Sequence, residues 1–316
     1  MKRATILAVA LAVTAGASVR SEVTDLFPDD TAYVVRLNVK AVVAQPTVLG
    51  DAKSIKSAMG EAAKVMESCG IDPIRDLTQA TLAVGGNASG RTAVVLIEGT
   101  FDPTKIRARL AQLATERKTE IEARSNGVFQ WTLPADKTPA AGGMSLPNRF
   151  YFSVIDEKLA AWAIDEAAIN DAIDKKAGRK RGTPSKAVSD LLGQAKADRA
   201  LAVVAVPPPG ALGRSPAAGM SHLVGSVRAT DAINLDLICT TKDAKSARAL
   251  AEYIGDGVAS IKELAVLVAT QSKNVTPAQQ AMLREFFDTI KTTATPTGVS
   301  VTSVLSKEFL EKNAKK

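Results

Sequence analysis

Eight short runs rich in Val, Ile and Leu set the terms for any fold of this chain: Ala32 to Leu37, Thr81 to Gly85, Thr92 to Glu98, Phe150 to Ile155, Leu159 to Ile164, Leu201 to Val206, Ile233 to Thr240 and Val299 to Leu305. Several stand as neighbours separated only by polar breaks. Asn87 to Arg91 joins one pair, Asp156 to Lys158 another, and Arg228 to Asp231 a third. Breaks that short suit antiparallel hairpins and leave no room for crossover helices. The chain is therefore expected to be α+β, a mainly antiparallel sheet with helices packed on it.

The helices are marked by their ends. Ser54 to Cys69 carries Ile55, Met59, Ala62 and Met66 on one face and is followed by Gly70, the residue a C-terminal cap favours. Asp102-Pro103 reads as a cap and a first-turn proline, opening a helix with Ile106, Leu110 and Leu113 inward. Thr183-Pro184 does the same before Val188, Leu191 and Leu192, and Thr276-Pro277 before Met282, Phe286 and Ile290. Asp243 to about Val268 is the longest periodic stretch, and Gly255 and Gly257 inside it mark a place for a kink.

Part of this pattern recurs. At an offset of 140, Val84-Gly85 faces Val224-Gly225, Val95 and Ile97 face Leu235 and Leu237, and Leu110 faces Leu250. Asp30 to Val35 resembles Asp198 to Val204 at a larger offset, so the second copy is short by roughly the helix ending at Cys69. The expected organisation is residues 1–17 as a leader, 18–178 as a first α+β unit and 179–316 as a second.

The leader is read from Lys2 and Arg3, the apolar run Ile6 to Ala15, and the small residues Ala15-Gly16-Ala17. A charged start, a short apolar stretch and a small-residue cleavage site form an export signal, and the run is too short to span a bilayer. The mature chain is expected to begin near Ser18, outside the cytoplasm and without a membrane anchor; no cysteine follows the apolar run to carry lipid.

Composition narrows the partners. The net charge is +7 and aromatic residues make up 4% of the chain. So few aromatics argue against a stacking platform for bases or sugars, and nucleic acid is not an expected partner. The densest basic run is Lys175, Lys176, Arg179, Lys180, Arg181 and Lys186, interrupted by Gly178 and Gly182. It is a candidate anion-binding patch, although glycine-interrupted charge between two helical patterns reads first as a solvated junction. Cys69 and Cys239 are a candidate disulfide, closing a loop of about 170 residues in an oxidising compartment.

The order Leu26-Phe27-Pro28-Asp29-Asp30-Thr31, then Gly70-Ile71-Asp72-Pro73 leading to Asp76-Leu77, then Val95 to Asp102, resembles uncharacterised exported proteins of planctomycete-type bacteria. Asp156-Glu157-Lys158-Leu159-Ala160-Ala161-Trp162 through Asp165 is similar to their recurring strand, tight turn, strand and helix. The resemblance implies an exported α+β domain of unknown function and no catalytic residue.

Few residues suggest chemistry. His222, the single histidine, follows Ser221, but strand neighbours point to opposite faces and no nucleophile elbow surrounds them. Glu120 and Glu122 share a face that Arg124 continues, the pattern of a solvent-facing strand. Asp29-Asp30 suits a turn. No phosphate loop and no metal-ligand spacing occurs, so no cofactor is expected. The leading expectation is a non-enzymatic binding or structural module of the periplasm or cell envelope. The alternatives are a hydrolase whose carboxylates are assembled by the fold, and an anion-binding envelope protein using the basic run.

Overall fold

In the computed structural model the described residues are 23–44, 56, 61–87, 90–116, 120–132, 140–141, 144–145, 148–182, 185–195, 199–208, 210–213, 215–271 and 277–308. The leader, the start of the helix expected from Ser54, and the Thr183-Pro184 and Thr276 caps lie outside them.

The chain runs through β1 (Thr31–Asn38), α1 (Val39–Val43), α2 (Glu61–Ser68), β2 (Leu77–Asn87), β3 (Gly90–Gly99), α3 (Pro103–Glu116), β4 (Ile121–Ala123) and β5 (Phe129–Thr132). It continues through β6 (Ala140–Ala141), β7 (Met144–Ser145), β8 (Arg149–Val154), β9 (Leu159–Ala163), α4 (Glu166–Lys176) and α5 (Lys186–Gln194). The last elements are β10 (Leu201–Ala205), β11 (Met220–Ala229), β12 (Ile233–Thr241), α6 (Ala244–Gln271), α7 (Pro277–Thr289), β13 (Lys291–Thr295) and β14 (Gly298–Leu305). The fold is α+β, with antiparallel strand pairs as expected.

Two compact units divide the chain. One takes Ala17–Arg36 and Met59–Ser189, the other Leu37–Ala58 with Asp190–Lys316. The border therefore falls at Ser189, beyond the expected 178, because the chain past Lys175 stays bound to the first unit, as described below.

In the first unit the strands lie in the order β1-β2-β3-β9-β8-β5-β4. Val94, Leu96 and Glu98 alternate with Val95 and Ile97 along β3, and the first set faces the packed side. Caps fix the helices. Gly70, at φ +79, ends α2 with its N–H on the Glu67 carbonyl and the Ile71 N–H on that of Met66, the paired closure that a left-handed glycine allows. Asp102 Oδ1 accepts the Lys105 N–H at 3.0 Å to start α3.

In the second unit the order is β10-β11-β12-β14-β13. Leu237 and Cys239 of β12 face a core of Ala247, Leu250, Val299 and Val301, whereas Ile238 between them is 57% exposed. The helix α6 passes through Gly255 and Gly257 without a break. Both glycines have open space where a Cβ would stand, so nothing there forces the backbone aside.

Each unit has three strands in series, a helix after the third, and at a later point a hairpin whose second strand lies beside that third strand: β9 beside β3, and β14 beside β12. The equivalence is not the expected offset of 140. Pro103 and Ala244 open the helices 141 residues apart, and their caps Asp102 and Asp243 match at that spacing. Leu96 then matches Leu237, and both face a core. An offset of 140 would set Leu96 against Asp236 and turn every side chain to the wrong face. The Val84-Gly85 match fails as well, because Val84 pairs with Ala93 and Val224 with Ile238, at different distances from their turns.

Candidate functional site

The basic run is where the structure departs furthest from expectation. Lys175 lies in the last turn of α4 with its side chain 1% exposed. Its ammonium has three donors. They meet the Phe27 carbonyl at 2.7 Å, Asp29 Oδ1 at 2.8 Å and Asp171 Oδ2 at 2.8 Å. Lys180 also pairs with Asp171, Arg179 with Asp174 at 2.6 Å, and Lys176 with Asp156 at 3.4 Å. Arg181 and Lys186 are exposed. Lys175 is thus tied into the first unit, whereas 177–181 and Lys186 stay on the surface, Arg179 and Lys180 there pairing with carboxylates.

Its glycines have structural duties. Gly178, at φ +71, caps α4: its N–H reaches the Lys175 carbonyl, and the Arg179 N–H reaches that of Asp174. A Cβ on Gly182 would stand 1.7 Å from the Asp25 carbonyl oxygen, so only glycine lets the backbones meet there.

A second polar cluster lies on the packed face of the first unit. Gln79 and Glu98 are cross-strand partners on β2 and β3, and the Gln79 amide donates to Glu98. Burial pushes the Glu98 carboxyl up, against the opposing pull of that hydrogen bond and of the Arg36 and Lys176 charges. Burial also lowers Arg36, and nearby Glu98 opposes it. Arg36 Nε has no hydrogen-bond partner among the described residues, nor have Thr81 Oγ1 and Asn170 Oδ1. Sequence reading missed this cluster because Arg36, Gln79 and Glu98 are isolated polar residues at the ends of apolar runs.

The remaining candidates resolve as follows. A bulge between Met220 and His222 brings Ser221 Oγ to 3.2 Å from His222 Nδ1, overriding the strand alternation that was expected to separate them. The Thr240 carbonyl also lies 3.2 Å from the Ser221 hydroxyl and can accept its proton in competition with the imidazole. Cys69 and Cys239 are free and buried, so the candidate disulfide is not formed. Each thiol is packed within its own unit, and burial raises both. Glu122 pairs with Arg124 at 3.0 Å, consistent with an outward strand face.

The scarce aromatics are pooled, which composition did not foretell. Register sets Trp131 opposite Phe150 and both Phe129 and Trp162 opposite Phe152, all on one face of β5, β8 and β9. Phe150 and Trp162 stack at 4.9 Å, so these rings fill one another's faces. Pro207, Pro208, Leu212 and Met220 line a shallow pocket of about 90 Å³. Among the described residues no group of His, Cys, Asp or Glu could hold a metal ion, and no helix is long and apolar enough to cross a membrane.

No protein-family model matches this chain, and no curated protein matches it in sequence. Among solved structures it is similar to the spirochete protein TP0453. Crystal form III of that protein gives a TM-score of 0.49 at 6% identity, covering 92% of this chain and 97% of the other. Crystal form I gives 0.47 at 7% identity, covering 95% and 98%. At those scores the likeness carries no argument about function.

Proposed function

We propose that the chain is an exported protein of the periplasm or cell envelope that works as a non-enzymatic binding or structural module. The observation that carries this reading is how the first unit uses its charges. Lys175, Lys176, Arg179 and Lys180 each hold a carboxylate of the same unit, so the basic run has little left for phosphate or sulfate groups. The same network weighs against a carboxylate hydrolase. Asp29 and Asp171 meet, but on the ammonium of Lys175, with Lys180 also on Asp171, whereas glycosidase-type chemistry needs one carboxyl protonated and both facing substrate. The Ser221 hydroxyl lies near His222, but no carboxylate is hydrogen-bonded to that imidazole to orient it among the described residues.

Export rests on the leader and on the resemblance of the mature chain to exported proteins. Two measurements test the reading. Fractionation of the source cell with N-terminal sequencing is expected to recover a chain starting near Ser18 outside the cytoplasm; an intact Met1 in the membrane fraction would overturn export. A panel of ester, phosphate and glycoside substrates is expected to show no turnover above that of a Ser221→Ala, His222→Ala double variant. Turnover abolished by that variant, or by Asp171→Asn, would make the protein an enzyme.

A further inference from the structure

We infer that the sheet face of the first unit turned away from its packed side is an interface for a second copy of this chain, the two copies meeting as a reversible two-fold sandwich. Burial alternates with period two along the strands. Val34, Ala83, Val94, Leu96 and Ala161 are at most 1% exposed. Their neighbours Val35, Leu82, Val84, Val95, Ile97 and Trp162 are only half-buried, and Tyr33 is 38% exposed. Leu82, Val95, Trp162 and Phe152 stand opposite one another in one row across β2, β3, β9 and β8. An antiparallel sheet with an open side ordinarily carries polar residues there. Among the described side chains on this face of β1, β2, β3, β9 and β8 there is no Asp, Glu, Lys or Arg.

The second unit shows that the fold itself does not demand this. At the spacing of 141, Ala93, Val95 and Ile97 of β3 match Asn234, Asp236 and Ile238 of β12. Val95 pairs across to Trp162 on β9, whereas Asp236 pairs across to Thr302 on β14. The same strand arrangement therefore stands with Asp and Thr at the centre of that face in one unit and with Val and Trp in the other. Only Ile97 keeps its kind, as Ile238.

Chemistry and size select the occupant. A partner recognised by charge has nothing to grip here, and a lack of charge together with Tyr, Trp and Phe is the composition of a protein–protein interface centre. A second copy offers the same apolar sheet face, which a two-fold axis sets against the first with each residue serving both sides. Two sheets packed in this way lie about 10 Å apart with their side chains interdigitated. Five strands, each giving about five residues to the face, make a footprint of about 400 Å². That matches the largest apolar patches seen on single chains, which are commonly functional. It is about half of what each partner buries in a standard interface, so the dimer is weak and forms as concentration rises.

The test is sedimentation velocity of the full chain over a wide range of concentration, beside a variant carrying Val95→Asp and Trp162→Thr, the pair that the second unit holds at the matched positions. Wild type is expected to pass from monomer to dimer as concentration rises. The variant should dimerise at least about tenfold more weakly, because each copy would bury a carboxylate against an apolar sheet. A wild-type chain that stays monomeric throughout overturns the proposal. So does a folded variant that dimerises as wild type does, since the dimer then uses another surface. Far-UV circular dichroism establishes whether the variant folds. Should it not, Tyr33→Lys replaces it at the most exposed position of the face, with the same weakening expected and an unchanged dissociation constant overturning the proposal. A monomeric wild type that floats with phosphatidylcholine vesicles would give the face to a lipid surface and overturn the second copy.

Discussion

Thr81 sits 1% exposed on β2, and its hydroxyl has no partner among the described residues. A buried hydroxyl left unpaired costs about 1–3 kcal/mol, so its isosteric replacement by an apolar group removes a penalty. Thr81→Val is therefore expected to raise the urea midpoint without changing the slope of the transition. A lowered midpoint would mean that bound water satisfies the hydroxyl. At the same scale, Lys175 shows why a residue's chemistry is hard to read in isolation. Six basic residues within a dozen positions look like a solvated stretch. Two local signals were nonetheless present, Asp171 one helical turn before Lys175 and Gly178 just after the last turn, the marks of an i,i+4 pair and a C-cap.

Helices α2, α3 and α4 end or begin where glycine and aspartate dictate, and these boundaries are legible in the residues themselves. Gly178→Ala is expected to destabilise by about 1–2 kcal/mol, the penalty of a Cβ in the left-handed region, as measured by denaturant unfolding. The caps Asp102 and Asp243 should show their ionisation in acid. Their carboxylates are held low mainly by backbone N–H donors at the helix starts. Asp102→Asn and Asp243→Asn keep a cap while removing the charge, so each should lose less stability than wild type as pH falls below about 4. A variant profile parallel to wild type would show that the cap does not depend on charge. The strand β13 was not legible. Lys291-Thr292-Thr293-Ala294-Thr295 is an exposed edge with no apolar alternation, the polar character that edge strands use to avoid further pairing. The bulge at Ser221 was equally hidden, since it is set by register against β12 and not by any local residue.

For the molecule as a whole, the sequence carried the α+β class and the strand-helix series of each half. It did not carry the register. Apolar residues spaced two apart match equally well when slid by one, and only burial distinguished the offset of 141 from 140 by setting Leu237 and Cys239 inward and Ile238 outward. The unit border moved for a related reason, because composition cannot tell a charged junction from a charged segment folded back on its own unit. The central claim is that Lys175 ties the start of the first unit, through Phe27 and Asp29, to α4. Denaturant unfolding of Lys175→Gln beside Lys180→Gln tests it most directly. Removing one partner from a buried ion network costs about 3–5 kcal/mol, whereas an exposed pair contributes about 0–1 kcal/mol. The account predicts a large loss for Lys175→Gln and a small one for Lys180→Gln; equal, small losses in both variants would contradict it and restore the basic run to a solvated linker.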